Sequence, residues 1–84
     1  MGHKARTKDE NFMIKIYEEA TSCGDMDKPF DRYEIGLLAG IQPKGVNAIC
    51  TLLLQANFVK KRGDSDVSIT PHGIKLVERI LSDS

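Results

Sequence analysis

Cysteine and histidine are both scarce in this chain. The sequence has two of each among its 84 residues. Cys23 and Cys50 do not form the set of close spacings that indicates a disulfide framework, and neither a CxxC nor an HxxxH pair is present. Structural zinc sites are built on such pairs, so we expect no metal site and no cofactor. Two free thiols are typical of a cytoplasmic protein, which is the location we expect.

Long apolar runs and catalytic motifs are also missing. No apolar run approaches the roughly 20 residues of a membrane-spanning helix, so we expect no membrane partner. The chain has no glycine-rich phosphate loop, and no nucleophile stands in a recognisable setting. His72 follows Thr70 and Pro71 at the start of a predicted helix, a position typical of an exposed residue rather than a general base. We therefore expect a protein that is not an enzyme, and the length predicts one domain.

Net charge is absent as well, because 12 acidic residues balance 12 basic ones. The two signs are unevenly distributed. Residues 9–34 carry eight acids and three bases, whereas residues 35–62 carry no acid at all. The bases of this acid-free segment are Lys44, Lys60, Lys61 and Arg62. A neutral total therefore hides a basic middle segment.

The first helix is predicted over about 8–21. Thr7 and Glu10 stand at the two ends of a capping box, and Gly24 is a natural C-terminal stop. Apolar residues at intervals of three and four share one face of this helix: Phe12, Met13, Ile16, Tyr17 and Ala20. Ile14 falls off that face.

Two further helices are predicted over about 32–39 and 43–56. Asp31 is the N-cap of the earlier one, and Gly40 supplies the left-handed residue that ends it. Pro43 is favoured in the first turn of the later one. The residues predicted to be buried are Ile35, Leu38 and Ala39 in the earlier helix and Val46, Ile49, Cys50 and Leu53 in the later one.

A β-hairpin and a last helix complete the pattern. Residues 58–62 predict a strand with a basic end, 63–66 a turn, and 67–70 a half-buried return strand of alternating apolar and polar residues. Thr70 then caps a helix whose apolar residues cover a wide arc. They are Ile74, Leu76, Val77, Ile80 and Leu81.

The predicted order is helix, short strand, helix, helix, strand, strand, helix, in a mostly α chain with a small β-hairpin. With the stretches GLLAGIQPKGVNAI and FVKKRGDSDVSITPHGIKLV, this order resembles the winged-helix variant of the helix-turn-helix. Gly36 is the small residue where two helices approach closely, and Gly40 sits in the turn. The stretch ITPHGIKLV resembles the end of the wing and the following helix in MarR and PadR transcriptional regulators. The resemblance implies a single winged-helix domain at 8–84 after a flexible basic N-terminal tail at 1–7.

The resemblance also implies a small transcriptional regulator that binds double-stranded DNA. Such domains lay the helix predicted over 43–56 in the major groove and the wing, about 58–70, along the phosphates. The expected base contacts are Gln42, Lys44, Asn47, Ala48, Thr51 and Gln55. The expected phosphate contacts are Lys60, Lys61 and Arg62, with Lys4, Arg6 and Lys8 adding to them.

Two alternatives stay open. A winged helix can also be a protein-interaction module that does not bind DNA, and the acids Asp64 and Asp66 at the wing tip favour that function because they repel phosphates. The chain could also form a homodimer. The first and last helices have a wider apolar surface than one small core needs. We take Ile14, Leu76 and Ile80 as the candidate dimer interface.

Overall fold

Four helices and three short strands follow one another along residues 6–83, the part of the chain that the computed structural model describes. The helices are α1 (Lys8–Cys23), α2 (Arg32–Leu38), α3 (Pro43–Gln55) and α4 (Pro71–Ser82), and the strands are β1 (Phe30–Asp31), β2 (Val59–Lys61) and β3 (Asp66–Ile69). The strands form one antiparallel sheet in the order β1-β3-β2. This confirms the prediction of a mostly helical chain with a small β-hairpin.

Helix α1 begins and ends where its capping residues predict. The Thr7 side chain accepts a hydrogen bond from the backbone N–H of Glu10, and the Glu10 carboxylate accepts one from the backbone N–H of Thr7 at 2.8 Å. Gly24 ends the helix in the left-handed conformation with φ of 71°. The helix runs two residues further than predicted, to Cys23.

Helices α2 and α3 are joined by a tight turn. Asp31 caps α2 by accepting a hydrogen bond from the backbone N–H of Tyr33 at 2.8 Å. Gly40 has φ of 74°, as predicted, and the backbone N–H of Ile41 donates to the carbonyl of Gly36 at 2.8 Å. These contacts reverse the chain within a few residues, so that α3 begins at Pro43.

The core takes side chains from α1, α2, α3, α4 and the sheet. Its buried apolar members are Phe12, Met13, Ile14, Ile16, Ala20, Ile35, Ile41, Val46, Ile49, Cys50, Leu53, Val59, Val67, Ile69 and Val77. The predicted burial of Val46, Ile49, Cys50 and Leu53 is confirmed.

Two predictions of burial and exposure are wrong. Ile14 is only 7% exposed, because α1 is packed against α2, α3, α4 and β3 and therefore buries a wider arc than one apolar stripe. Leu38 is 53% exposed. Helix α2 is only seven residues long and turns Ile35 and Gly36 to the core, so the Leu38 side chain at its end is left facing solvent.

The middle strand β3 is more buried than a half-exposed return strand. It pairs with both other strands, and Ser68 is fully buried between Val67 and Ile69. The hydroxyl of Ser68 accepts a hydrogen bond from Nη1 of Arg62 at 3.2 Å. A polar side chain can be buried here because its hydrogen-bonding group has a partner.

Helices α2 and α3 are in close contact at Gly36. A Cβ atom at this position would collide with Cγ2 of Val46, as predicted for the small residue between the two helices. The Val46 side chain is fully buried and cannot move into solvent. The position of α3 against α2 therefore depends on the absence of a side chain at Gly36.

Replacing Gly36 by Ala should lower the free energy of unfolding by about 1–3 kcal/mol, the usual cost of overpacking a core. Gly45→Ala on α3 is the matched control, since its Cβ would lie 3.1 Å from Cγ2 of Ile41, a milder overlap than the one at Gly36. Alanine has a helix propensity about 1 kcal/mol better than glycine at both positions, so the control should lose clearly less stability than Gly36→Ala. Urea unfolding followed by circular dichroism measures both. Equal stabilities for the two variants would contradict the close contact.

Candidate nucleic-acid interface

Helix α3 presents an exposed polar face opposite its buried side. The structure exposes all six residues predicted as base contacts: Gln42, Lys44, Asn47, Ala48, Thr51 and Gln55. The face contains one cation and no acid. It is anchored from behind, because Val46, Ile49, Cys50 and Leu53 fix the rotation of the helix about its axis. The core therefore sets the direction in which this face points.

Two of these side chains are already engaged in hydrogen bonds. The Tyr33 hydroxyl donates to Oδ1 of Asn47 at 2.9 Å, which leaves the Asn47 amide donors facing outward. The Thr51 hydroxyl donates to the backbone carbonyl of Asn47, also at 2.9 Å. Its methyl group and lone pairs remain for an external partner. Asn47 thus offers mainly donors, and Thr51 mainly an apolar group and an acceptor.

Tyr33 is a candidate site residue that sequence reasoning missed. It lies in the first turn of α2, 14 positions before Asn47, and 40% of it is exposed. The only signal was an aromatic residue two positions after the N-cap Asp31 of a short helix. Its contact depends on how α2 crosses α3, which no local pattern reports.

The first turn of α3 is suited to an anion. It contains no acid, and the side chain of the N-cap residue Gln42 accepts no hydrogen bond from the N–H groups of this turn. The partial positive charge of the helix dipole and the free N–H groups at such an end attract phosphate. The Lys44 side chain lies in the same turn and is exposed.

The basic end of the hairpin is largely paired within the protein. Nη1 of Arg62 donates to the backbone carbonyl of Asp27 at 2.8 Å and lies 3.3 Å from Asp27 Oδ1. Nζ of Lys60 lies 3.6 Å from the same Oδ1. We expected both cations to face phosphates, but the structure brings them to Asp27. The sequence showed the acidic loop without showing that it folds over the hairpin.

Lys61 differs from its two neighbours. Strand alternation places it on the opposite face of β2 from Lys60. It is exposed, and within residues 6–83 no ion pair involves it. Of the remaining predicted cations, Arg6 and Lys8 are exposed beside the start of α1, whereas Lys4 lies outside the described residues.

Three leucines of α2 and α3 have exposed side chains. Leu37 is 78% exposed, Leu38 53% and Leu52 61%. Leu37 follows Tyr33 by one helical turn, so the two side chains lie on the same side of α2. Leu52 lies one turn after Ala48 on α3. Their exposure was not predicted.

The residues predicted for self-association contribute less surface than expected. Ile14 belongs to the core, and Leu76 and Ile80 are half-buried and packed against it. Of these three predicted residues, Leu76 and Ile80 therefore keep more exposed surface than Ile14.

Neither thiol stands among metal ligands. Residues 6–83 contain no group of three or more histidine, cysteine, aspartate or glutamate residues that could hold a metal ion. Cys23 is exposed and Cys50 is buried. Burial raises the pKa of the Cys50 thiol, and the nearby charge of Arg32 opposes this only in part. His72 is exposed, as predicted, and its ring stacks on that of Phe58 with 4.8 Å between the ring centroids.

Comparison with known proteins gives no relative for this chain: no protein-family model, no curated protein and no solved structure matches it. In the described part of the chain, no single helix has the length and apolar character needed to cross a membrane. Only α2 and α3 taken together reach that length and composition, and they are bent by 112°.

Arg62→Ala should lower the free energy of unfolding by about 1–2 kcal/mol, since the Ser68 hydroxyl and the Asp27 carbonyl lose their donor. Lys61→Ala, which removes the same charge from the neighbouring residue, should change it by less than about 0.5 kcal/mol. Chemical denaturation of the two variants measures the difference. Equal effects would contradict a structural role for Arg62.

Proposed function

We propose that this chain is a winged-helix protein that binds double-stranded DNA as a small transcriptional regulator. Helix α3 enters the major groove, and the β2–β3 hairpin is the wing that follows the phosphate backbone. One observation carries the proposal: the exposed face of α3 is polar, free of acids and held rigidly by a buried apolar face. If the exposed face of α3 contacted only water, there would be no physical reason for residues 35–62 to lack acids.

The arrangement of α2 and α3 supports the same function. The two helices are bent by 112° about a short turn that contains Gly40. Helix-turn-helix motifs join their helices at about 90–120° through a turn of three or four residues that often contains glycine. The hairpin then follows α3 directly, as a wing does.

The side chains on α3 suit readout in the major groove. Lys44 can donate to guanine O6 and N7. Because Tyr33 occupies Oδ1 of Asn47, the Asn47 amide donates to a base acceptor such as guanine O6 or N7. Ala48 and the Thr51 methyl group suit the thymine methyl. These are few contacts, so sequence-dependent DNA shape also contributes to specificity.

Affinity is limited by the small number of available cations. Lys44 and Lys61 stand without an ion pair among residues 6–83, whereas Lys60 and Arg62 share Asp27. A second copy of the chain would double the contacts. Dimeric helix-turn-helix proteins place their two recognition helices about 34 Å apart on the DNA.

The salt dependence of duplex binding distinguishes phosphate contacts from base contacts. Lys61→Ala should weaken binding to all duplexes alike and flatten the slope of log K against log salt by about 0.9, the value for one phosphate contact. Lys44→Ala should in addition change the preference between duplexes.

Lys75→Ala on α4 is the control for the loss of one charge, and it should leave the preference unchanged. Fluorescence anisotropy with duplexes that differ at single positions measures all three variants. A wild-type protein that binds no duplex at about 50 mM salt, where electrostatic contacts are strong, would contradict the proposal.

Tyr33→Phe should shift base preference without changing the salt slope. Once the phenol hydrogen bond is lost, the Asn47 amide can rotate and pair with both N6 and N7 of adenine. Competition between duplexes that carry guanine or adenine at each position should therefore show a gain for adenine. Tyr17→Phe, on α1, is the matched control. An unchanged preference in Tyr33→Phe would mean that Tyr33 does not orient Asn47.

One observation favours a second candidate, a protein-interaction module. Leu37 on α2 is 78% exposed and Leu52 on α3 is 61% exposed. Contiguous apolar patches mark protein-binding surfaces, and this candidate places both leucines in one such patch. Under this candidate, Leu37→Ser together with Leu52→Ser abolishes capture of a protein partner. Under the first candidate, Lys61→Ala weakens DNA binding while the leucine variant retains a wild-type salt slope.

A further inference from the structure

We propose that Asp27 is an internal counter-ion that occupies the place of a DNA phosphate at Lys60 and thereby limits how strongly the wing binds DNA. This inference rests on the proposed function. It assigns a role to a residue of the α1–β1 loop, outside the elements that contact DNA in that proposal.

The geometry places one carboxylate oxygen between two cations of the wing. Asp27 Oδ1 lies 3.6 Å from Nζ of Lys60 and 3.3 Å from Nη1 of Arg62. Lys60 and Arg62 lie on the same face of the hairpin, two residues apart. A carboxylate oxygen shared by a lysine and an arginine makes the same charge-assisted contacts that a phosphate oxygen would make.

The two cations are held to different degrees. The side chain of Arg62 is 30% exposed, and it also donates to the Asp27 carbonyl and to the buried Ser68. The side chains of Lys60 and Asp27 are 55% and 71% exposed. Exposed ion pairs contribute little to stability, so Lys60 can leave Asp27 for a phosphate, whereas Arg62 stays in place.

The loop also holds Asp27 through contacts of its own. The backbone N–H of Asp27 donates to Oδ1 of Asp25 at 2.9 Å, and that of Lys28 donates to the Asp25 carbonyl at 3.2 Å. These contacts form a local turn. The position of the Asp27 backbone therefore depends on its own loop as well as on the contacts with Arg62.

The local charge balance gives Asp27 its effect. Lys60, Lys61 and Arg62 carry three positive charges, Asp64 in the turn and Asp66 at the start of β3 remove two of them, and Asp25 and Lys28 of the loop cancel each other. Asp27 removes the third. The wing with its loop is therefore neutral, and deleting this one carboxylate leaves it with a net positive charge.

Asp27→Asn tests the inference, because it removes the charge and keeps the side-chain size and the backbone carbonyl that Arg62 uses. We expect tighter binding to duplex DNA and a slope of log K against log salt that is steeper by about 0.9. That slope corresponds to a gain that shrinks about three- to fourfold between 50 and 200 mM salt. Adding Lys60→Gln to Asp27→Asn should abolish the gain.

Asp83→Asn is the control, since it makes the same change in net charge at the end of α4. An equal gain in both single variants, or no gain in Asp27→Asn, would overturn the inference and leave the proposed function standing. Absence of DNA binding by the wild-type protein and by Asp27→Asn would instead overturn both.

A second pair of variants covers the case in which Asp27→Asn does not fold. Because Asp27 already holds Lys60, Lys60→Gln in the otherwise wild-type chain should flatten the salt slope less than Lys61→Gln does. Equal flattening by the two variants would overturn the inference.

Discussion

The contact between the backbone of Gly36 and the side chain of Val46 determines where α3 lies. Val46 is fully buried, so its position fixes the rotation of α3 and hence which side chains face solvent. The turn is tied to the same place, because the Gly36 carbonyl accepts the hydrogen bond from Ile41. Packing at one glycine thereby sets the direction of Lys44, Asn47 and the rest of the exposed face. The candidate interface is a consequence of this core contact.

Charge is organised by tertiary structure rather than by composition. The acid-free segment 35–62 supplies every cation of the candidate interface on α3 and the hairpin, yet the acidic loop before β1 folds back onto it. Arg62 serves the fold by covering Ser68 and holding the Asp27 carbonyl. Lys61 has no ion pair within the described residues. Lys60 pairs with Asp27, but its side chain is 55% exposed. A neutral protein can thus contain a basic segment whose cations are partly paired within the fold, as Lys60 and Arg62 are with Asp27.

Local patterns predicted much of this fold. The capping residues Thr7 and Asp31, the left-handed Gly40 and the apolar stripe of α3 are decided by neighbours within a few residues, and the structure confirms them. The burial of Ile14 and the exposure of Leu38 depend on which elements surround α1 and on how soon α2 ends. The Tyr33–Asn47 bond spans 14 residues and the Arg62–Asp27 contacts span 35. Contacts at such separations follow from the packing of whole helices and strands. The sequence pattern could therefore predict which residues form the polar face and the basic hairpin, but not that Tyr33 and Asp27 bind them.

The central claim is that the rigid, acid-free face of α3 binds double-stranded DNA. The most direct test is to map backbone amide chemical shifts during titration with duplex DNA at low salt. The account predicts concentration-dependent shifts along Lys44 to Gln55 and in the β2–β3 hairpin, which diminish as salt is raised. It predicts little change at the core-facing residues of α1. Titration that moves no amide of α3 or of the hairpin would contradict it.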